Sequence, residues 1–167
     1  MKTNASLLIC LVSMLLLSCK NEKKEQFIAE IPSHTKLIAN KEETVKLWKK
    51  AIHDGDFKAY AIISNAYLMH TQIYELYYYS LIMANKYKCP QAYYHLFIIM
   101  NDRVTIDGLS LYSDDKATKN MSLYYLLKSK ELGCDQAQFE IDEVFGKNKP
   151  ILASSYYLKK LLNTNER

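Results

Sequence analysis

Apolar positions in this chain recur at helical spacing, and strand-like alternation is scarce. Val45, Trp48 and Ile52 form a stripe, while Lys46, Lys49 and Lys50 fall on the opposite side, as in an amphipathic helix. Asn40 and Glu43 have the spacing of a capping box at its start. Asp54-Gly55-Asp56 reads as a stop and restart. Gly55 can take the left-handed conformation that ends a helix, and Asp56 can cap the next one. Pro90 suits a first helical position, where its missing N–H costs nothing. Gly133 and Asp135 repeat the stop and restart, after which Ala137, Ile141, Val144 and Phe145 mark one face. Pro150 opens a last helix with Leu158, Leu161 and Leu162 on one side. The pattern predicts seven helices, about 41–53, 57–70, 72–86, 90–101, 116–132, 135–146 and 150–163.

Three of these segments superimpose as helix, short turn, then a second helix with alanine near its start: Ala59, Ala92 and Ala137, offset by 33 and 45 residues. Four positions after each alanine stands a large aliphatic residue, Ile63, Leu96 and Ile141. Units of this length are stacked helix pairs, none of which can bury its apolar face alone. The longer offset is absorbed by a loop over 101–115, which holds Asp107-Gly108 and Ser113-Asp114-Asp115; Leu109, Leu111 and Tyr112 should pack back onto the helices. The expected fold is all-α: a short α/α superhelix (solenoid) of about three helix pairs plus a terminal capping helix, over 41–167.

Residues 122–133 (SLYYLLKSKELG), followed by Ala137-Gln138 and Ile141, resemble one Sel-like repeat of the tetratricopeptide superfamily. That unit reads Ala-x-aromatic-aromatic-x-x-Lys-Ala-x-x-x-Gly, then Ala-Gln-x-x-Leu-Gly. The other two repeats match loosely, and together the three cover roughly 41–163. Where the family carries a second glycine, this chain has Ser64, Phe97 and Asp142, which implies irregular helix spacing. The resemblance implies a protein-binding scaffold with no catalytic repeat position.

Residues 5–17 are uncharged and follow Lys2. Thirteen residues suit a secretory leader rather than a membrane span, which needs about 20. Leu16-Leu17-Ser18-Cys19 resembles the lipobox of bacterial lipoproteins. The resemblance implies a signal peptide at 1–18, lipid (diacylglyceryl and a further acyl chain such as palmitate) on Cys19, and membrane attachment by more than one chain, as stable anchoring requires. Residues 19–40 then read as a lipid-anchored flexible tether, charged at 20–25. Lys20 takes the place of the aspartate that marks inner-membrane retention in that family, so the expected address is the cell outer membrane of the bacterial envelope, on its periplasmic or surface face.

Charge narrows the partners. Losing Lys2 with the leader takes the net charge from +4 to +3, spread along the chain, which is no nucleic-acid footprint. His34, His53, His70 and His95 include no pair at i, i+4, so the sequence offers no zinc motif and no metal site. Gly-rich phosphate loops and Gly-x-Ser-x-Gly are absent, no cofactor is indicated, and an envelope enzyme is the least supported reading. Cys89 and Cys134 occupy equivalent repeat positions. At helix-packing distance, about 8–10 Å, they lie too far apart for a bridge, which leads to two small buried thiols.

Tyrosine stands out, with 14 copies, many adjacent. Core packing accounts for most single tyrosines, and tyrosine is also a favoured interface anchor. Outward members Tyr74, Tyr78, Tyr124 and Tyr157, with Lys128, are the candidate partner-binding surface. The expected function is a membrane-anchored, non-catalytic binding module for an unknown protein or peptide. The alternative is an immunity lipoprotein that neutralises a secreted toxin.

Overall fold

A computed structural model describes residues 34–105 and 107–164. The leader, the lipidation expected at Cys19 and the tether up to residue 33 lie outside the described residues. Every regular element among the described residues is a helix: α1 (His34–Ala39), α2 (Lys41–Asp54), α3 (Phe57–Met69), α4 (Ile73–Tyr87), α5 (Pro90–Asn101), α6 (Lys116–Glu131), α7 (Ala137–Phe145) and α8 (Ser154–Thr164). None of these helices is long and apolar enough to cross a membrane.

Capping chemistry explains most boundaries. Asn40 Oδ1 accepts the Glu43 N–H (3.1 Å) at the start of α2, and Asp56 Oδ1 accepts from Lys58 (2.9 Å) and Ala59 (3.0 Å) at the start of α3. Gly55 is left-handed, with φ 70. A Cβ there would meet the Tyr87 ring at 2.6 Å, so this turn needs glycine twice over. The Tyr87 hydroxyl is bridged to the Ile52 and His53 carbonyls (2.7 and 2.6 Å), donating to the exposed end of α2 from a neighbouring helix. At the second turn Lys88 takes the left-handed position, with φ 57.

Consecutive helices pack as neighbours: α2 on α3, α4 on α5, α6 on both α5 and α7. First members also meet one another, α2 against α4 and α6 against α8. The core runs along this stack. In α5, Ala92, Tyr93, His95, Leu96, Phe97, Ile99 and Met100 are all buried, so this helix is covered on most of its circumference. The repeat-spaced Ala59, Ala92 and Ala137 and the aliphatics Ile63, Leu96 and Ile141 are buried as well.

Four expectations need correction. The stretch 34–39, read as tether, is helical, with Leu37 buried; α1 packs against α2 and α3, and Thr44 Oγ1 donates to the Leu37 carbonyl (2.9 Å). Pro150 does not open the last helix, which starts at Ser154. There Glu131 reaches across from α6 to accept the Ser154 N–H and hydroxyl (both 2.8 Å), supplying a cap that no local spacing encodes. Asp135 does not cap α7, whose N-cap is Gln136 with no side-chain hydrogen bond. Val45, Val144, Leu162 and Leu109 are exposed rather than packed. In α2 the inward face is instead Trp48 and Ala51, with Leu47 and Ile52 beside them.

Candidate functional site

Ring contacts between helices gather at three places. Trp48 of α2 is stacked on Tyr79 of α4 (centroids 4.0 Å, 29°) and meets Tyr67 of α3 edge-on at 5.0 Å. Tyr93 of α5 contacts Tyr124 and Tyr125 of α6 at 6.2 and 6.0 Å. Phe145 of α7 contacts Tyr157 of α8 at 6.2 Å. Edge-to-face and offset pairs of this kind add about 0.5–1.5 kcal/mol each beyond the area they bury.

The five candidate residues fare differently. Tyr78 is open to solvent, 61% exposed, with its ring edge on Tyr79 at 5.7 Å. Tyr74 lies one turn before it on α4, half-buried, and donates its hydroxyl to the Leu109 carbonyl (2.5 Å). Tyr124 is half-buried against the core. Lys128, one turn further along α6, pairs with Glu131 at 3.2 Å. In the pair 156–157 the expected order is reversed: Tyr156 faces out, 39% exposed, with Lys160 over its ring, and Tyr157 packs inward. The structure therefore sets Tyr74 beside Tyr78 and Tyr124 beside Lys128, and turns three of the four tyrosines partly inward.

A buried polar chain joins three helices, and no spacing in the sequence announces it. The Tyr60 hydroxyl on α3 lies 2.8 Å from Ser80 Oγ on α4 and 3.0 Å from His95 Nδ1 on α5. All three side chains are at most 1% exposed. Gln91 Nε2 approaches His95 Nε2 at 3.5 Å and Asn65 Oδ1 at 3.4 Å. With Gln91 donating to Nε2, the imidazole proton sits on Nδ1 and donates to Tyr60, which donates to Ser80. Burial pushes the His95 pKa down to about 4, so the ring is neutral near pH 7. Burial likewise raises Tyr60 well above the ordinary phenol range. These groups are held as neutral hydrogen-bond partners and are sealed from solvent, an arrangement suited to fixing helix register.

Cys89 and Cys134 are both buried and unbridged. They line one open groove of about 380 Å³ at the starts of α5 and α7, together with Gln91 and Gln136. Burial raises both thiols, which keeps them protonated and unreactive. No three His, Cys, Asp or Glu side chains are grouped as metal ligands among the described residues.

Comparison of the chain with protein-family models, curated proteins and solved structures gives no match.

Proposed function

We propose that this protein is a lipid-anchored binding module of the bacterial cell envelope. A short α/α superhelix would present a tyrosine-bearing face to a protein or peptide partner, without chemistry of its own. The observation that carries the reading is the arrangement of the first members of the helix pairs. They meet one another at α2–α4 and α6–α8, and α4 bears Tyr78, exposed at 61%, one turn from the half-buried Tyr74. Tyrosine supplies large contact area with a polar tip at small entropy cost. The interior supports a passive role, because Tyr60 and His95 are neutral and enclosed and burial keeps the Cys89 and Cys134 thiols protonated.

Anchoring follows from the lipobox resemblance at 16–19, with outer-membrane delivery favoured by Lys20. In this reading the protein stays on the envelope through acyl chains on Cys19 and engages its partner through the Tyr78 surface. The test combines two arms. Metabolic labelling with an alkyne fatty acid should mark the wild type and not Cys19→Ser. Photocrosslinking from position 78 in intact cells should capture a discrete partner that Tyr74→Ala/Tyr78→Ala loses while the melting temperature holds. Labelling of the serine variant removes the anchor; an unchanged crosslinking pattern in the double variant removes the surface.

A further inference from the structure

The loop over 102–115 that breaks the repeat spacing is pinned at several points. Tyr74 donates to the Leu109 carbonyl. Arg103 Nη2 donates to the Tyr112 hydroxyl (3.0 Å), which donates to Asp114 Oδ1 (2.7 Å). Lys119 of α6 lies 3.0 Å from the same carboxylate oxygen. Between this loop and the facing ends of α5 and α6 lies a cavity of about 200 Å³. Connections this long in a compact domain are commonly functional, and this one builds a pocket that the repeats alone would lack.

The lining has a definite chemistry. Arg103 and Lys119 are its charged side chains, and no carboxylate lines it. Asn101, Tyr112 and Ser122 supply polar groups. Ser122 is 3% exposed. It accepts from Asn101 Nδ2, and its own hydroxyl proton goes to no acceptor among the described residues. A buried donor left in that state costs about 1–3 kcal/mol unless something accepts from it. Arg103 has five N–H donors; Tyr112 takes one, and the guanidinium lies over the Tyr112 ring at 4.7 Å. The nearby carboxylates are turned to other work. Asp102 accepts the Val104 N–H (2.9 Å), Asp115 caps α6 through the Thr118 N–H (2.8 Å), and Asp114 is shared, 3.0 Å from Lys119 and also acting by charge on Arg103. Two cations on the lining against the one carboxylate they share leave one positive charge for a ligand.

We infer that the pocket between the 102–115 loop and the ends of α5 and α6 binds a small singly charged oxyanion, a carboxylate group, between Arg103, Lys119 and the buried Ser122 hydroxyl. The pocket lining includes neither Tyr74 nor Tyr78, although Tyr74 holds the loop at Leu109, and the inference does not rest on the partner-binding reading. The planar fork of Arg103 matches the two oxygens of a carboxylate. A single uncompensated positive charge suits a monoanion better than the dianion that phosphate forms near neutral pH.

The test is titration of the mature chain with sodium acetate, followed through backbone amide shifts in ¹H–¹⁵N spectra, against sodium chloride at matched ionic strength and against inorganic phosphate. The expected result is saturable, acetate-specific shifts at Arg103, Lys119 and Ser122. Arg103→Gln should weaken binding by about tenfold or more, and Ser122→Ala should weaken it severalfold, each at unchanged melting temperature. Equal response to chloride, or acetate binding intact in Arg103→Gln, overturns the inference. Tighter binding of phosphate than of acetate overturns the carboxylate assignment. Should Arg103→Gln unfold the loop, Arg103→Lys keeps the charge without the fork, and an affinity equal to wild type sinks the guanidinium role.

Discussion

The helices α5 and α7 both follow a helix they pack against, yet they meet their surroundings very differently. In α5, seven residues are buried, and the helix packs against both α4 and α6. Its His95 also reaches Tyr60 on α3. In α7 only Ala137 and Ile141 are buried, the main neighbour is α6, and Phe139 remains 68% exposed. Two helices with similar sequence signals at their starts therefore carry unequal energetic weight. A helix covered on several sides can bury an apolar sequence and can afford a polar chain inside it. A helix with one neighbour can hold only a narrow stripe, whatever its composition.

The comparison can be broken most directly by truncating side chains on each side of it. Trp48 contacts three other rings around the α2–α4 region and is 5% exposed. Trp48→Ala should cost about 3–5 kcal/mol, whereas Phe139→Ala on α7 should stay within about 0.5 kcal/mol. Urea denaturation of both variants would show it; similar losses would mean that the two regions are equally packed.

The next effect is a pH dependence confined to the covered side. The His95 pKa is about 4 in the folded chain against an ordinary 6.5, because burial disfavours the imidazolium. The unfolded chain therefore binds this proton first. His95 contributes fully to stability above about pH 6.5, loses that contribution as pH falls towards 4, and adds no further slope below. The full span is about 3 kcal/mol. Denaturation midpoints at stepped pH should fall more steeply for wild type than for His95→Gln between 6.5 and 4. Parallel profiles would refute the assignment.

A smaller effect tests the other side. Burial works against the Glu131 charge, but the Ser154 N–H and hydroxyl, with Lys128, hold its carboxylate below the usual range. Glu131→Gln should cost about 1 kcal/mol, as expected for a half-exposed charged hydrogen bond. Amide exchange should speed up in α8 while α5 stays protected. Faster exchange in both helices would show that the terminal helix and the centre open as one unit.

Much of the helical framework was legible because its signals are local. Asn40, Asp56, Gly55 and Pro90 each act within one turn of chain, and each marks a boundary in the structure. Misreadings arose where a partner far along the chain decides the outcome. Glu131 sets the start of α8 from 23 residues away, so Pro150 misled. Leu37 draws α1 out of the supposed tether because α3 offers it a surface. The candidate surface was legible as a list of tyrosines, and Tyr78 and Tyr124 are the more exposed members of their runs, but the order of Tyr156 and Tyr157 was not legible. Sequence neighbours on a helix point about 100° apart, and the choice belongs to whichever helix packs alongside, as Tyr156 and Tyr157 demonstrate.

What the sequence settled by itself is the all-helical class, the turns between most helices and the long interruption at 102–115, because periodicity and capping act over three or four residues. Only the tertiary structure decided that Tyr60, Ser80 and His95 would meet, that Tyr87 would close the end of α2, and that Arg103, Lys119 and Ser122 would share a pocket. Apart from Lys119 and Ser122, which share one helix, those groups come together from 16 to 35 positions apart, and their cost or benefit arises only once burial removes water from around them.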